Sequence, residues 1–175
     1  QAVNSVGTAS STQVSGTQNV NGGNASGTTI ANGGQQNVNA GGNAITTTVS
    51  SGGAQTVNSG GQANSTTVNA GGTQTVNSDG TASSTQVSGT QNVNGGNASG
   101  TTVATGGQQN VNAGGNAITP TVRPGVAQTF HSGGQAHSTP ANAGGPQTLN
   151  TPGPANPTPV PPPRAHARHS PSRAL

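Results

Sequence analysis

The sequence contains no cysteine, methionine, tryptophan or tyrosine, and one phenylalanine, Phe130. Without cysteine there is no disulfide framework and no thiolate chemistry. Charged residues make up only 3% of the chain. The one acid is Asp79, so no pair of carboxylates can share acid–base work. The basic residues are Arg123, Arg164, Arg168 and Arg173. Residues 1–122 therefore carry a formal charge of −1 and residues 123–175 carry +4. The pI near 12.0 describes the C-terminal stretch, not the body. With no basic stripe and no aromatics to stack bases, the body has nothing with which to hold nucleic acid. Large apolar residues are also scarce. Val, Ile, Leu and Phe number 22 in 175, too few for a conventional globular core. No apolar run approaches the roughly 18 residues of a membrane-spanning helix. The chain starts at Gln1 and has no Met, which reads as an internal or mature segment of something longer.

What the sequence does have is repetition. One unit runs from Gly52 to Ala70, and the next opens at Gly71-Gly72. Each unit of about 19 residues has two halves opened by Gly-Gly. The first half carries one valine, at Val3, Val20, Val38, Val57, Val76, Val93 and Val111, then Phe130 and Leu149. The spacings are 17, 18, 19, 19, 17, 18, 19 and 19. The second half carries an alanine, as at Ala44, Ala63 and Ala82, and a second β-branched row at Val14, Ile30, Val49, Val68, Val87, Val103 and Val122. Above this period lies a longer one. Residues 8–45 match 81–118 at an offset of 73 with two differences, Ile30/Val103 and Asn32/Thr105.

No such unit holds enough apolar surface to fold alone, so the units are expected to stack. Gly-Gly every nine or so residues breaks helices, and Thr, Val and Asn form them poorly. The reading is therefore all-β: a parallel β-helix (β-solenoid) of about nine coils of 17–19 residues, with an irregular Pro-rich C-terminal tail. Within Thr66-Thr67-Val68, Thr66 and Val68 share a face; Ala63 to Thr66 breaks that alternation and calls for a bend. Strands stacked about 4.8 Å apart put like over like, so Asn, Gln and Thr should form ladders along the axis. Those ladders would be offered to an identical rod.

The solenoid is placed at residues 1–150, regular to about 120 and decaying after, with 151–175 as a Pro/Arg/His-rich tail. The decay has one direction. At the 73-residue offset Ser50 becomes Arg123, Asn58 becomes His131, Asn64 becomes His137 and Thr67 becomes Pro140. Each is one A-to-C codon change, which leaves open a decayed nucleotide sequence or a natural Pro-rich linker. Proline removes ladder donors, so stacking is expected to weaken past about residue 120 and to stop by about 151.

No chemistry emerges from motifs. Asp79 stands for the first glycine of a Gly-Gly corner and reads as a turn residue tolerating positive φ. His131, His137, His166 and His169 lack Cys or Glu partners, so neither a metal site nor a cofactor site is assigned. The Gly-Gly corners lack the Lys-Ser/Thr and the helix of a phosphate loop. A calcium-binding β-roll needs an acid in each repeat. Asn24-Ala-Ser26, Asn64-Ser-Thr66 and Asn97-Ala-Ser99 match N-glycosylation acceptors, as chance allows in such a composition. An ice-binding solenoid would need a flat Thr-x-Thr row; Thr46-Thr47-Thr48 offers one, but most units have Thr-x-Val there.

The pattern Gly-Gly-x-Gln-x-Val-x-x-Gly-Gly-x-Ala-x-x-Thr-x-Val, clearest in Gly52–Ala70 and Gly71–Ser88, resembles the passenger repeats of self-associating autotransporter adhesins of Gram-negative bacteria. The resemblance covers about residues 1–150. It implies a right-handed parallel β-helix on the outer membrane of a Gram-negative cell, with the parent protein anchored through a domain absent from this chain. It implies adhesion to host cells, homotypic association with itself on neighbouring cells and biofilm formation; the lack of a catalytic constellation in the residues points to no enzyme activity. It also implies O-linked heptose on repeat hydroxyls such as Ser65, Thr66 or Ser84. A non-adhesive structural stalk or spacer is the alternative.

Overall fold

The computed structural model describes residues 1–137 and the strand Gln147–Leu149. The 151–175 tail lies outside the described residues. The chain winds through three strands per turn. In one turn Ala54–Val57 lies on a first sheet, Gln62–Asn64 on a second and Thr67–Val68 on a third, before Thr73–Asn77 returns to the first. All pairing between these strands is parallel, and each strand pairs with its counterpart one turn away. The three sheets hold nine, eight and seven strands. Seven complete turns are thus formed among the described residues, against the nine coils expected. The valine count that gave nine followed the first sheet alone. The third-sheet counterpart in the next turn, near residue 141, falls outside the described residues.

Like stacks on like as the repeat requires. Val57 pairs with Val76, Ala63 with Ala82 and Val68 with Val87. Spacings of 17, 18 and 19 do not disturb this, because the length changes lie in the turns. Four residues, Asn69–Gly72, separate Val68 from Thr73, whereas Ser88-Gly89 alone separates Val87 from Thr90. At about 4.8 Å per step, the nine rungs of the first sheet span roughly 38 Å.

The interior is lined by the three small apolar rows: valines of the first sheet, alanines of the second and Val/Ile of the third, nearly all fully buried. A fourth row is polar. Gln18, Gln36, Gln55, Gln74, Gln91 and Gln109 are completely enclosed, two residues before the first-sheet valine and on the same side of the strand. Each donates its Nε2–H to the Oε1 of the glutamine one turn earlier, as Gln55 to Gln36 at 2.8 Å and Gln74 to Gln55 at 2.7 Å. Gln128 continues the ladder onto Gln109. The third-sheet strand is preceded by a second buried polar row, whose hydroxyls donate to the same oxygens: Thr66 to Gln55 at 3.1 Å, Thr101 to Gln91 at 3.2 Å. The expected glutamine ladder therefore forms, but inside the rod, so it is not offered to an identical rod. Buried amides are stable here because each has a copy of itself about 4.8 Å above and below.

The bend expected between Ala63 and Thr66 is at Ser65, with φ of +58°. It turns the chain so that Ala63 and Thr66 both point inward. The Gly-Gly corners have two separate causes. Gly71 takes φ of +78°. Gly72 instead passes close over the turn below: a Cβ there would lie 2.8 Å from the Val49 oxygen and 2.9 Å from that of Ser50.

Two stability outcomes follow. Gln74→Ala removes the bonds to Gln55, Gln91 and Thr85, leaving Gln91 Nε2 and the Thr85 hydroxyl without their acceptor and Gln55 Oε1 with Thr66 alone. It should lower unfolding free energy by roughly 3 kcal/mol in urea titration; an unchanged midpoint would show that the ladder is dispensable. Gly72→Ala should destabilise by roughly 1–3 kcal/mol through backbone crowding, seen as a lower melting midpoint.

Candidate interaction surface

Strand alternation that sends Gln74 and Val76 inward sends Thr73, Thr75 and Asn77 outward. In-register stacking turns each outward position into a file. Asn19, Asn37, Thr56, Thr75, Asn92 and Asn110 form one file down the middle of the first sheet. Asn37 donates to Asn19 at 2.8 Å and Asn110 to Asn92 at 2.9 Å. A second file runs along the sheet's edge. Asn21, Asn39, Asn58 and Asn77 each donate Nδ2–H to the asparagine one turn earlier, at 3.2, 2.6, 2.8 and 2.9 Å in order. The third sheet presents Thr29, Thr48 and Thr67 outward. The result is a set of regular faces of amides and hydroxyls.

Charge is almost absent from them. Within residues 1–137 only Asp79 and Arg123 carry formal charge. Asp79 is exposed at a corner with φ of +58°, the turn role read for it. His131 and His137 are exposed, and His137 Nε2 lies 3.3 Å from Gln135 Oε1. His166 and His169 lie outside the described residues. Among the described residues no three of His, Cys, Asp or Glu come together to hold a metal. Thr46 and Thr48 face solvent but Thr47 is buried, so the Thr46-Thr47-Thr48 row does not form a flat hydroxyl surface of its own. Thr66, one of the hydroxyls named for heptose, is completely enclosed and already bonded to Gln55. The reason is that Thr66 shares the inward face of Val68, as the strand alternation read from the sequence requires.

The molecule is thus a parallel β-solenoid whose polar residues are divided between an inner glutamine ladder and outer amide files. Residues 12–72 and 49–90 match the family model described as "adhesin of bacterial autotransporter system, probable stalk". Among solved structures, a TibC-catalysed hyper-glycosylated fragment of TibA superposes with a TM-score of 0.78 at 34% identity. The match covers 89% of this chain and 65% of that one, so this chain spans about two thirds of that fragment. No curated protein sequence matches. The coils are autotransporter adhesin passenger repeats. A passenger of this type is a cell-surface or extracellular segment.

The exposed and buried ladders differ in energy. Asn58→Ala breaks two ladder bonds at a partly exposed site where water replaces them. It should cost less than about 1 kcal/mol in the urea titration used for Gln74→Ala.

Proposed function

We propose that this segment is a non-enzymatic rod displayed outside the outer membrane of a Gram-negative cell, and that it holds cells together by associating with identical rods on neighbouring cells and with host surfaces. The observation that carries the reading is a rod of repeated, uncharged amide and hydroxyl files with two formal charges in 137 residues. Each file contact is weak. Many contacts repeated at one spacing add through multivalency, and no net charge holds the rods apart. Because the related TibA fragment is glycosylated by TibC, we also propose that this passenger carries O-linked sugar on outward hydroxyls.

A second reading has its own support. The matching family model is described as a probable stalk, so the rod can serve as a spacer that lifts an adhesive part away from the cell. Settling of bacteria displaying the whole chain separates the two. The comparison is with Asn37→Asp, Thr56→Asp and Thr75→Asp together, which line up three like charges on the middle file. An adhesive rod settles cells quickly, the variant slowly, and raised salt restores the variant. Equal settling of both, at the rate of undecorated cells, leaves only the stalk.

A further inference from the structure

Each strand of the second sheet has two outward positions around its buried alanine. The second of them forms a polar file, with Ser10, Ser26, Asn64, Ser83 and Ser99. Two turns depart from it. Ile45 and Ile118 stand in that file instead, half-buried on the outer surface. Among the described residues no other strand turns a large apolar side chain outward. The substitution interrupts the polar run. Asn64 has no acceptor in Ile45 one turn earlier, and donates across to Asn43 Oδ1 at 3.0 Å. Taken singly, neither isoleucine calls for explanation. As a pair they define a geometry: 73 residues and four turns apart, roughly 19 Å along the rod.

That geometry selects a second copy of the rod as occupant. Laid face to face on the second sheet, a copy has two orientations. Antiparallel, the two-fold axis lies along a strand, so each file meets its own counterpart with the order of turns reversed. With the axis at the fifth strand, Thr81–Ser83, the third strand, Asn43–Ile45, faces the seventh of the other rod, Asn116–Ile118. Ile45 of each rod then meets Ile118 of the other. In a parallel, fully overlapped pair the axis runs along the rod and exchanges the two files, so Ile45 meets Asn43. Only the antiparallel copy covers the whole face and buries all four isoleucines against one another. Charge does not oppose it, since His137 in the last strand is the one titratable side chain on the eight strands. Eight strands span roughly 34 Å by about 10 Å of width, so two such faces bury roughly 700 Å² in all. That lies under the about 1,200 Å² of a standard interface, so one pair is weak and many pairs between two cells are strong.

We infer that two rods pair antiparallel through the second sheet, with Ile45 of each seated on Ile118 of the other. The inference rests on the proposal that identical rods associate, and adds the face and the register. The first-sheet files stay open to further rods. Asp79 marks the register, because it lies at the rim two residues before the strand on the axis. Pairing brings both carboxylates to one level, about a 10 Å sheet spacing apart, a repulsion of roughly twofold in Kd.

The chain has no cysteine, so introduced pairs report contacts directly. In this register Asn64 faces Ser99 of the other rod. Whole chains carrying Asn64→Cys and Ser99→Cys, mixed and oxidised with diamide, should yield mainly the mixed disulfide in peptide mass spectrometry. A chain with Ile45→Ser and Ile118→Ser should keep the parent's circular dichroism and melting midpoint, because neither residue lines the interior. Its dimer Kd in sedimentation should rise at least about tenfold. Asp79→Gly should lower Kd about twofold. Disulfides that join Asn64→Cys chains to each other, or Ser99→Cys chains to each other, in excess of the mixed product overturn the register, as does an Asp79→Gly chain that pairs no tighter. Cross-linking of first-sheet Thr75→Cys chains in preference to both, or an isoleucine variant that dimerises like its parent, overturns the face. Each of these leaves association of identical rods standing. A chain that stays monomeric and cross-links nowhere overturns that proposal and this inference together.

Discussion

The structure depends on the hydrogen bond that a buried glutamine makes to its own copy one turn away. An amide in an apolar interior is destabilising unless both its polar ends find partners. In this rod the partner is supplied by translation: the environment of Gln55 is that of Gln36 and Gln74 shifted by one turn. A coil that slipped in register would lose its valine contacts and leave an amide unpaired. Register is thereby specified more strongly than so few large apolar side chains could manage through packing alone. The same constraint explains where insertions and deletions are tolerated. Coils of 17, 18 and 19 residues coexist because all length variation falls in solvent-facing turns, between the residues that must stack.

Stacking in register also accounts for the scarcity of charge. A charged residue written into the repeat would recur every 4.8 Å or so along a file. At that spacing two like charges repel by about 1 kcal/mol even in bulk water, and the term recurs at every step. Neutral amides and hydroxyls gain a bond from the same arrangement. The exceptions are isolated: Asp79 sits in a corner file otherwise built largely of glycine, and Arg123 lies where the repeat has begun to change. The uncharged surface suited to rod-to-rod contact is thus a by-product of what holds the rod together.

Much of the architecture was legible because the repeat prints it. Rows of Val3-Val20-Val38, Ala44-Ala63-Ala82 and Val49-Val68-Val87 can be drawn without coordinates, and they form the apolar lining. The bend before Thr66 and the positive φ of Asp79 were readable from broken alternation and from the glycine that Asp79 replaces. The destination of the polar rows was harder to see. Gln55 lies two residues before Val57 in a strand, and that spacing alone places it inward. Its polarity argues the opposite, and only partners at fixed distance above and below decide for burial. Thr66 likewise lies two residues before Val68, and that spacing places its hydroxyl inside, where the Gln55 oxygen accepts its bond.

What residue order determined by itself was the period, the parallel stacking and the identity of the apolar rows, since these follow from composition and spacing under the rule that like sits on like. What only the tertiary structure decided was which side of the wall each polar row occupies and which hydroxyls stand free. Those outcomes depend on the angle at each corner and on three sheets closing around one narrow interior. A linear spacing constrains the distance along a strand, but it does not set the rotation between one strand and the next.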